Sequence, residues 1–269
     1  MLLDYKMYKH DSSKEWVVFL HGVGGNYSLF HKQIKKFRKH FNLLFINFPG
    51  HGESESLKGK YTFTKIADKV KEILDHLNIS KAHLVGISLG TIVMNELSRL
   101  APERISSMTL GGAVIKWQFW TDLLFKLAYM VRYVVPYMFL YTLFALILMP
   151  KRNHQHSRNL FVNEAKKIGQ KEFINWAGLL IHSDNVYDQL LADKNKKKIP
   201  KLYLIGSEDH VFMKGVQYAV KTDPFAEMNV IDNCGHVCNV DQADEFNNLT
   251  IQFIHQQLKT DSQDGQIAL

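Results

Sequence analysis

The run Leu202-Tyr203-Leu204-Ile205 is apolar at every position rather than at every second one. A strand with one wet face alternates, whereas a strand without alternation has both faces covered. The pattern returns at Val17-Val18-Phe19-Leu20, at Leu43-Leu44-Phe45-Ile46 and, after a leading histidine, in His83-Leu84-Val85-Gly86. It recurs less purely at Ser107-Met108-Thr109-Leu110 and Met228-Asn229-Val230-Ile231. Helical periodicity fills much of the chain between these runs, over 27–40, Thr64 to Leu77, Leu89 to Leu100 and Asp241 to Leu258. Such an order predicts an α/β protein with a mostly parallel sheet flanked by helices. The tail TDSQDGQIAL is polar and is expected to fray.

The alternation breaks once, between Gly112 and Pro200, where helix-like segments around 116–133, 137–149, 156–168 and 171–182 follow one another without a strand. The expected organisation is a core of 1–112 and 201–269 carrying a helical insertion, 113–200. Inside it, YVVPYMFLYTLFALILMP (133–150) is uncharged and runs into Lys151 and Arg152. A membrane span needs about 20 apolar residues. This stretch falls short of that, and Pro136 breaks or kinks a helix near its start.

Composition narrows the class. Charged residues make up 22% and apolar ones 46%, as in ordinary globular domains. The net charge of +7 comes largely from scattered lysines such as Lys32, Lys35, Lys36 and Lys39, which describe a solvated helix face and not a nucleic-acid stripe. Lys194-Asn195-Lys196-Lys197-Lys198 reads as a solvated loop, with some affinity for an anionic membrane surface. The N-terminal MLLDYKMYKHDSSKEW lacks the apolar run of a secretory signal. Cys234 and Cys238 are the chain's two cysteines, too few for a disulfide scaffold, and a reducing, cytoplasmic setting is expected.

Gly86-Ile87-Ser88-Leu89-Gly90 stands directly after an expected strand and directly before an expected helix. That is the setting of a G-x-S-x-G nucleophile elbow, whose sharp turn lifts the serine hydroxyl clear of the sheet edge. A serine needs a base, and the base an orienting acid. In a parallel sheet reactive groups gather at the carboxyl ends of the strands. The fifth strand is followed there by Gly206-Ser207-Glu208-Asp209-His210 and the sixth by Asp232-Asn233-Cys234-Gly235-His236. Asp209 is the candidate acid and His236 the candidate base, with Glu208 and Asp223 as rival carboxylates and His210 and His255 as rival imidazoles. The N–H groups of Leu89 and of Val23, in the glycine-rich turn His21-Gly22-Val23-Gly24-Gly25, are the candidate oxyanion donors. His21 is expected to brace that turn. Cys234, His236 and Cys238 offer only three metal ligands and would consume the base, so no metal and no cofactor is expected. Phe48-Pro49-Gly50-His51-Gly52-Glu53-Ser54 leaves a functional and an ordinary reading both open, since a Pro-Gly turn at a strand end needs no functional cause.

Taken in order, LHGVGG, FPGHGES, GISLG, GSEDH and CGH resemble the α/β-hydrolase superfamily over nearly everything outside the insertion. Ser88 sets the chain apart from relatives with an aspartate nucleophile. The resemblance implies cleavage of a carboxylic ester or thioester through an acyl-serine, and it implies that 113–200 is a helical cap, or lid. A membrane crossing in this segment would separate Ser88 from Asp209 and His236. Phe139, Leu140, Leu143, Phe144 and Ile147 are then expected to line a pocket for an apolar acyl group. The expected partner is a small ester, including lipid esters, with peripheral membrane contact through the cap. An acyltransferase, a thioesterase, a C–C hydrolase, a haloperoxidase or a non-catalytic membrane-binding module shares the same motifs.

Overall fold

The computed structural model describes residues 2–181, 183–192 and 197–267, without the side chains of 184, 185 and 261–267. Its strands are β1 Tyr5–Tyr8, β2 Trp16–Leu20, β3 Asn42–Ile46, β4 Ala82–Ile87, β5 Ile105–Gly111, β6 Lys201–Gly206 and β7 Ala226–Ile231. They form one sheet in the order β1-β3-β2-β4-β5-β6-β7, parallel except for β1, which runs antiparallel along β3.

The absence of alternation has the expected cause. Val18, Leu20, Leu44 and Ile46 point into a cluster on one face, while Val17, Phe19, Leu43 and Phe45 point into a second cluster on the other. The first face is covered by α2 Phe63–His76, α3 Leu89–Leu100 and α9 Met213–Thr222; the second by α1 His31–Phe37, α10 Cys238–Asp241 and α11 Ala243–Ile267. Each fully buried Leu, Ile or Phe contributes about 1.5–3 kcal/mol, so both faces drive the sheet to the centre.

Between β5 and β6 stand α4 Phe119–Met130, α5 Tyr137–Leu148, α6 Gln155–Ala165, α7 Gly169–Leu180 and α8 Asp184–Ala192. Pro136 caps α5 at its N-terminus. That leaves a helix of 12 residues, about 18 Å at 1.5 Å per residue, against the roughly 30 Å of a bilayer core. Among the described residues no helix is long and apolar enough to cross a membrane.

Four features depart from the sequence expectations. β1 is an edge strand of mixed polarity, YKMY, with no apolar run to announce it. Neither α9 nor α8 is foreseen, and α8 packs on α3. The terminal helix continues to Ile267 instead of fraying after Leu258, the chain's last two residues lying outside the described ones. Most of the lysine run at 194–198 also lies outside them.

The sheet register brings five strand ends together. Leu20 pairs with Gly86, Ile87 with Gly111, Gly111 with Leu204 and Gly206 with Ile231, so β2, β4, β5, β6 and β7 end along one edge. The loops bearing His21, Ser88, Asp209 and His236 all leave from it.

Candidate active site

Ser88 occupies φ 53°, ψ −116°, a region that side chains rarely adopt and that costs about 1–3 kcal/mol. The flanking glycines make the turn feasible. A Cβ on Gly90 would sit 2.1 Å from the Leu20 carbonyl oxygen, and one on Gly86 would sit 2.3 Å from Met94 Sδ. The helix α3 begins directly after the serine, aiming its positive end at the sheet edge.

Two buried side chains face each other across the neighbouring strand ends. His236 Nδ1–H donates to Asp209 Oδ2 at 2.8 Å, and Asp209 Oδ1 accepts from the Phe212 N–H at 3.1 Å. The carboxylate can only accept, so the proton is placed on Nδ1 and Nε2 keeps its lone pair. Among the described residues Nε2 has no partner, although it is buried. His236 lines a small cavity together with Ser88, His21, Gly22, Ile87 and Phe161. A ring nitrogen without a partner, in a histidine that shares a cavity with a serine, is chemically able to take that serine's proton.

The rival groups are occupied elsewhere. Glu208 binds Lys151 Nζ (2.8 Å), Asn153 Nδ2 (2.8 Å) and His154 Nε2 (2.6 Å) of the segment between β5 and β6, and these partners, Lys151 first, hold its carboxyl down to about 2. Asp223 is buried against Lys201 Nζ at 2.7 Å. His210 is exposed and stacks on Trp120, and His255 lies on α11 against His40 and Phe41. The thiols of Cys234 and Cys238 turn to the carbonyls of Ile231 and Leu204, and burial pushes the Cys234 thiol up to about 12. No group of three or more His, Cys, Asp or Glu fit to hold a metal occurs among the described residues.

The glycine-rich turn lies against the serine: a Cβ on Gly22 would be 3.4 Å from Ser88 Cβ. Among the described residues the N–H groups of Val23 and Leu89 take no part in a hydrogen bond, which leaves both available to an incoming oxyanion. Two histidines hold the turn in place. His21 Nδ1–H donates to the Gly22 carbonyl (2.7 Å) and Nε2 accepts from the Phe48 N–H (3.0 Å). His51 Nδ1–H donates to the Pro49 carbonyl (3.0 Å) and Nε2 accepts from the Gly24 N–H (3.0 Å). Each imidazole thus ties its own loop to the other, and the turn at FPGHG is half of the brace. The recurring His-Gly at 21–22 and 51–52 is the sequence signal for it.

Both rings are neutral by geometry, since protonating Nε2 would set a second donor against a backbone N–H. Burial lowers His51 from 6.5 to about 4, and burial together with His51 lowers His21 well below 6.5. The unfolded chain therefore takes up protons between about pH 6.5 and pH 4 that the folded protein refuses. Stability is expected to fall with pH through that window, by up to about 1.4 kcal/mol per pH unit for His51, with His21 acting in the same direction. Urea unfolding from neutral pH towards pH 4 reads this directly, and an unchanged midpoint would contradict the brace.

A second cavity lies beneath α4 and α5, with about 810 Å³ of empty space, part of it open, against about 310 Å³ for the one at Ser88. Leu140, Leu143, Phe144 and Ile147 line it with Phe125 and Val23. Phe139 does not, contrary to the sequence expectation. It falls in phase with Leu143 and Leu146 on the outer face of α5 and is 64% exposed. The linings of the two cavities touch at Tyr141. Its ring lines the larger and stacks on Phe161 of the smaller at 4.8 Å, and its hydroxyl donates to the Val23 carbonyl at 2.8 Å. Helical pattern alone could not single out Tyr141 from its apolar neighbours.

The profile of the alpha/beta hydrolase fold family matches residues 15–243. The chain belongs to the alpha/beta hydrolase family. Among its relatives is a protein of Acinetobacter baylyi provisionally named carbamate hydrolase RutD, 28% identical over 94% of this chain and 98% of the relative. Another is a 2-hydroxy-6-oxononadienedioate/2-hydroxy-6-oxononatrienedioate hydrolase of Burkholderia vietnamiensis, 25% identical over 90% of this chain and 88% of its own. A structure from work on carboxylesterases of Nitrososphaera gargenis superposes on this alpha/beta hydrolase with a TM-score of 0.78, covering 96% of this chain and 95% of the other at 19% identity. The chain is thus a member of a hydrolase enzyme family, and the likeness in structure extends over nearly the whole chain.

Proposed function

We propose that this alpha/beta hydrolase cleaves carboxylic esters with an apolar acyl group, using Ser88 as nucleophile, His236 as base and Asp209 as its orienting acid. The observation that carries the reading is the open, buried Nε2 of His236 in the cavity of Ser88, with its Nδ1–H held by Asp209. Ser88 Oγ attacks the ester carbonyl as His236 Nε2 takes its proton. The N–H groups of Val23 and Leu89 receive the oxyanion, and Asp209 stabilises the imidazolium. His236 then protonates the departing alcohol as the C–O bond breaks. Water, losing a proton to the same nitrogen, attacks the acyl-serine and releases the acid.

The acyl preference rests on the larger cavity. Among the described residues neither cavity is lined by a Lys or Arg side chain, which disfavours a dianion such as the dioate in one relative's name. Parting of Tyr141 and Phe161 joins the two spaces and admits an acyl chain past Val23. A chain-length series of nitrophenyl esters tests this. Rates are expected to rise from acetate through the medium-chain esters; greatest activity on acetate, falling with each added carbon, would sink the reading.

A further inference from the structure

A helix in a folded protein normally turns its apolar stripe inward. Here α4 and its extension do the reverse. Trp120, Leu123, Leu127, Val131 and Val134 recur at intervals of three and four, and all are exposed. Met130 and Val134 are 73% and 87% exposed. Phe139, Leu143 and Leu146 repeat the pattern on the outer face of α5, whose inner face already buries Leu140, Tyr141, Ala145 and Leu148. An apolar face of this extent marks a surface that meets something.

Two observations say what. Leu124 and Leu143 line the larger cavity and are also 45% and 47% exposed, so the cavity opens through this face and not beside it. In the segment from Gly112 to Arg152, Lys116, Lys126 and Lys151 pair with Asp188, Asp122 and Glu208, which leaves Arg132 and Arg152 as its cations without a carboxylate partner among the described residues. A second copy of the chain would bring like charge to like charge. A lipid surface with anionic headgroups offers apolar contact and opposite charge together.

We propose that the outer face of α4 and α5 docks on an anionic lipid bilayer and that the larger cavity opens into that contact. The choice of lipid draws on the reading of the cavity as an acyl pocket, but docking is measured without turnover, so either can fail alone. The full chain is mixed with vesicles of phosphatidylcholine alone, or of phosphatidylcholine with phosphatidylglycerol, and the bound fraction is read by flotation. Binding is expected, stronger with phosphatidylglycerol and weakened by salt. A Met130→Asp, Val134→Asp double variant, altered only at side chains outside both cavities, is expected to lose about tenfold or more of it. Its thermal midpoint and its hydrolysis of a water-soluble short ester should match the parent. No binding by the parent, or equal binding by the variant, overturns the proposal. So does a concentration-dependent dimer that the variant abolishes while vesicles bind neither protein.

Discussion

Ser88→Ala is expected to lower ester turnover by about 10⁴- to 10⁶-fold while leaving the fold in place. The size follows from what is removed. Without Oγ no acyl-enzyme forms, and the remaining rate comes from the oxyanion donors and from substrate positioning. The fold should survive because only the hydroxyl is deleted, at a backbone conformation already held by the glycine contacts around it. Steady-state kinetics on a medium-chain nitrophenyl ester, with circular dichroism as the check on folding, measures both halves. A fall of less than tenfold would mean that the chemistry lies elsewhere.

Asp209→Asn should cost about 10⁴-fold in kcat, with a much smaller effect on KM. The amide can still accept from the Phe212 N–H, so the loop keeps one anchor. Toward His236, however, an amide nitrogen donates where the carboxylate accepted. The ring answers by moving its proton to Nε2, and the base facing Ser88 is lost. Glu208→Gln, one residue away, is expected to retain most of the activity, because Glu208 faces Lys151, Asn153 and His154. Kinetics on the two variants side by side separates the carboxylates. Loss in Glu208→Gln with retention in Asp209→Asn would reverse the assignment.

Much of this geometry is legible in the sequence for a specific reason. A strand apolar at every position has both faces covered, and parallel strands so covered end on one edge, so residues just past Leu20, Ile87, Gly206 and Ile231 must be neighbours. That places Ser88, Asp209 and His236 together without knowledge of any contact. What pattern does not carry is which of several apolar residues on one helix faces a given space. Leu140, Phe144 and Ile147 fall on the inner face of α5, whereas Phe139 falls outside, and α5 is apolar all round. With no polar face to set its phase, its rotation follows from tertiary packing. The brace of His21 and His51 is hidden for another reason: each ring bonds to backbone atoms of a distant loop, and no spacing reports such a partner. The edge strand β1 is hidden because it packs little and pairs on one side only.

The central claim is that Ser88 is a nucleophile activated by His236. It is tested most directly by treating the intact protein with a fluorophosphonate and locating the adduct by peptide mass spectrometry. One adduct per chain is expected, on the peptide bearing Ser88, absent in Ser88→Ala and slowed severely in Asp209→Asn. An unlabelled parent protein, or an adduct that persists in Ser88→Ala, would contradict the claim.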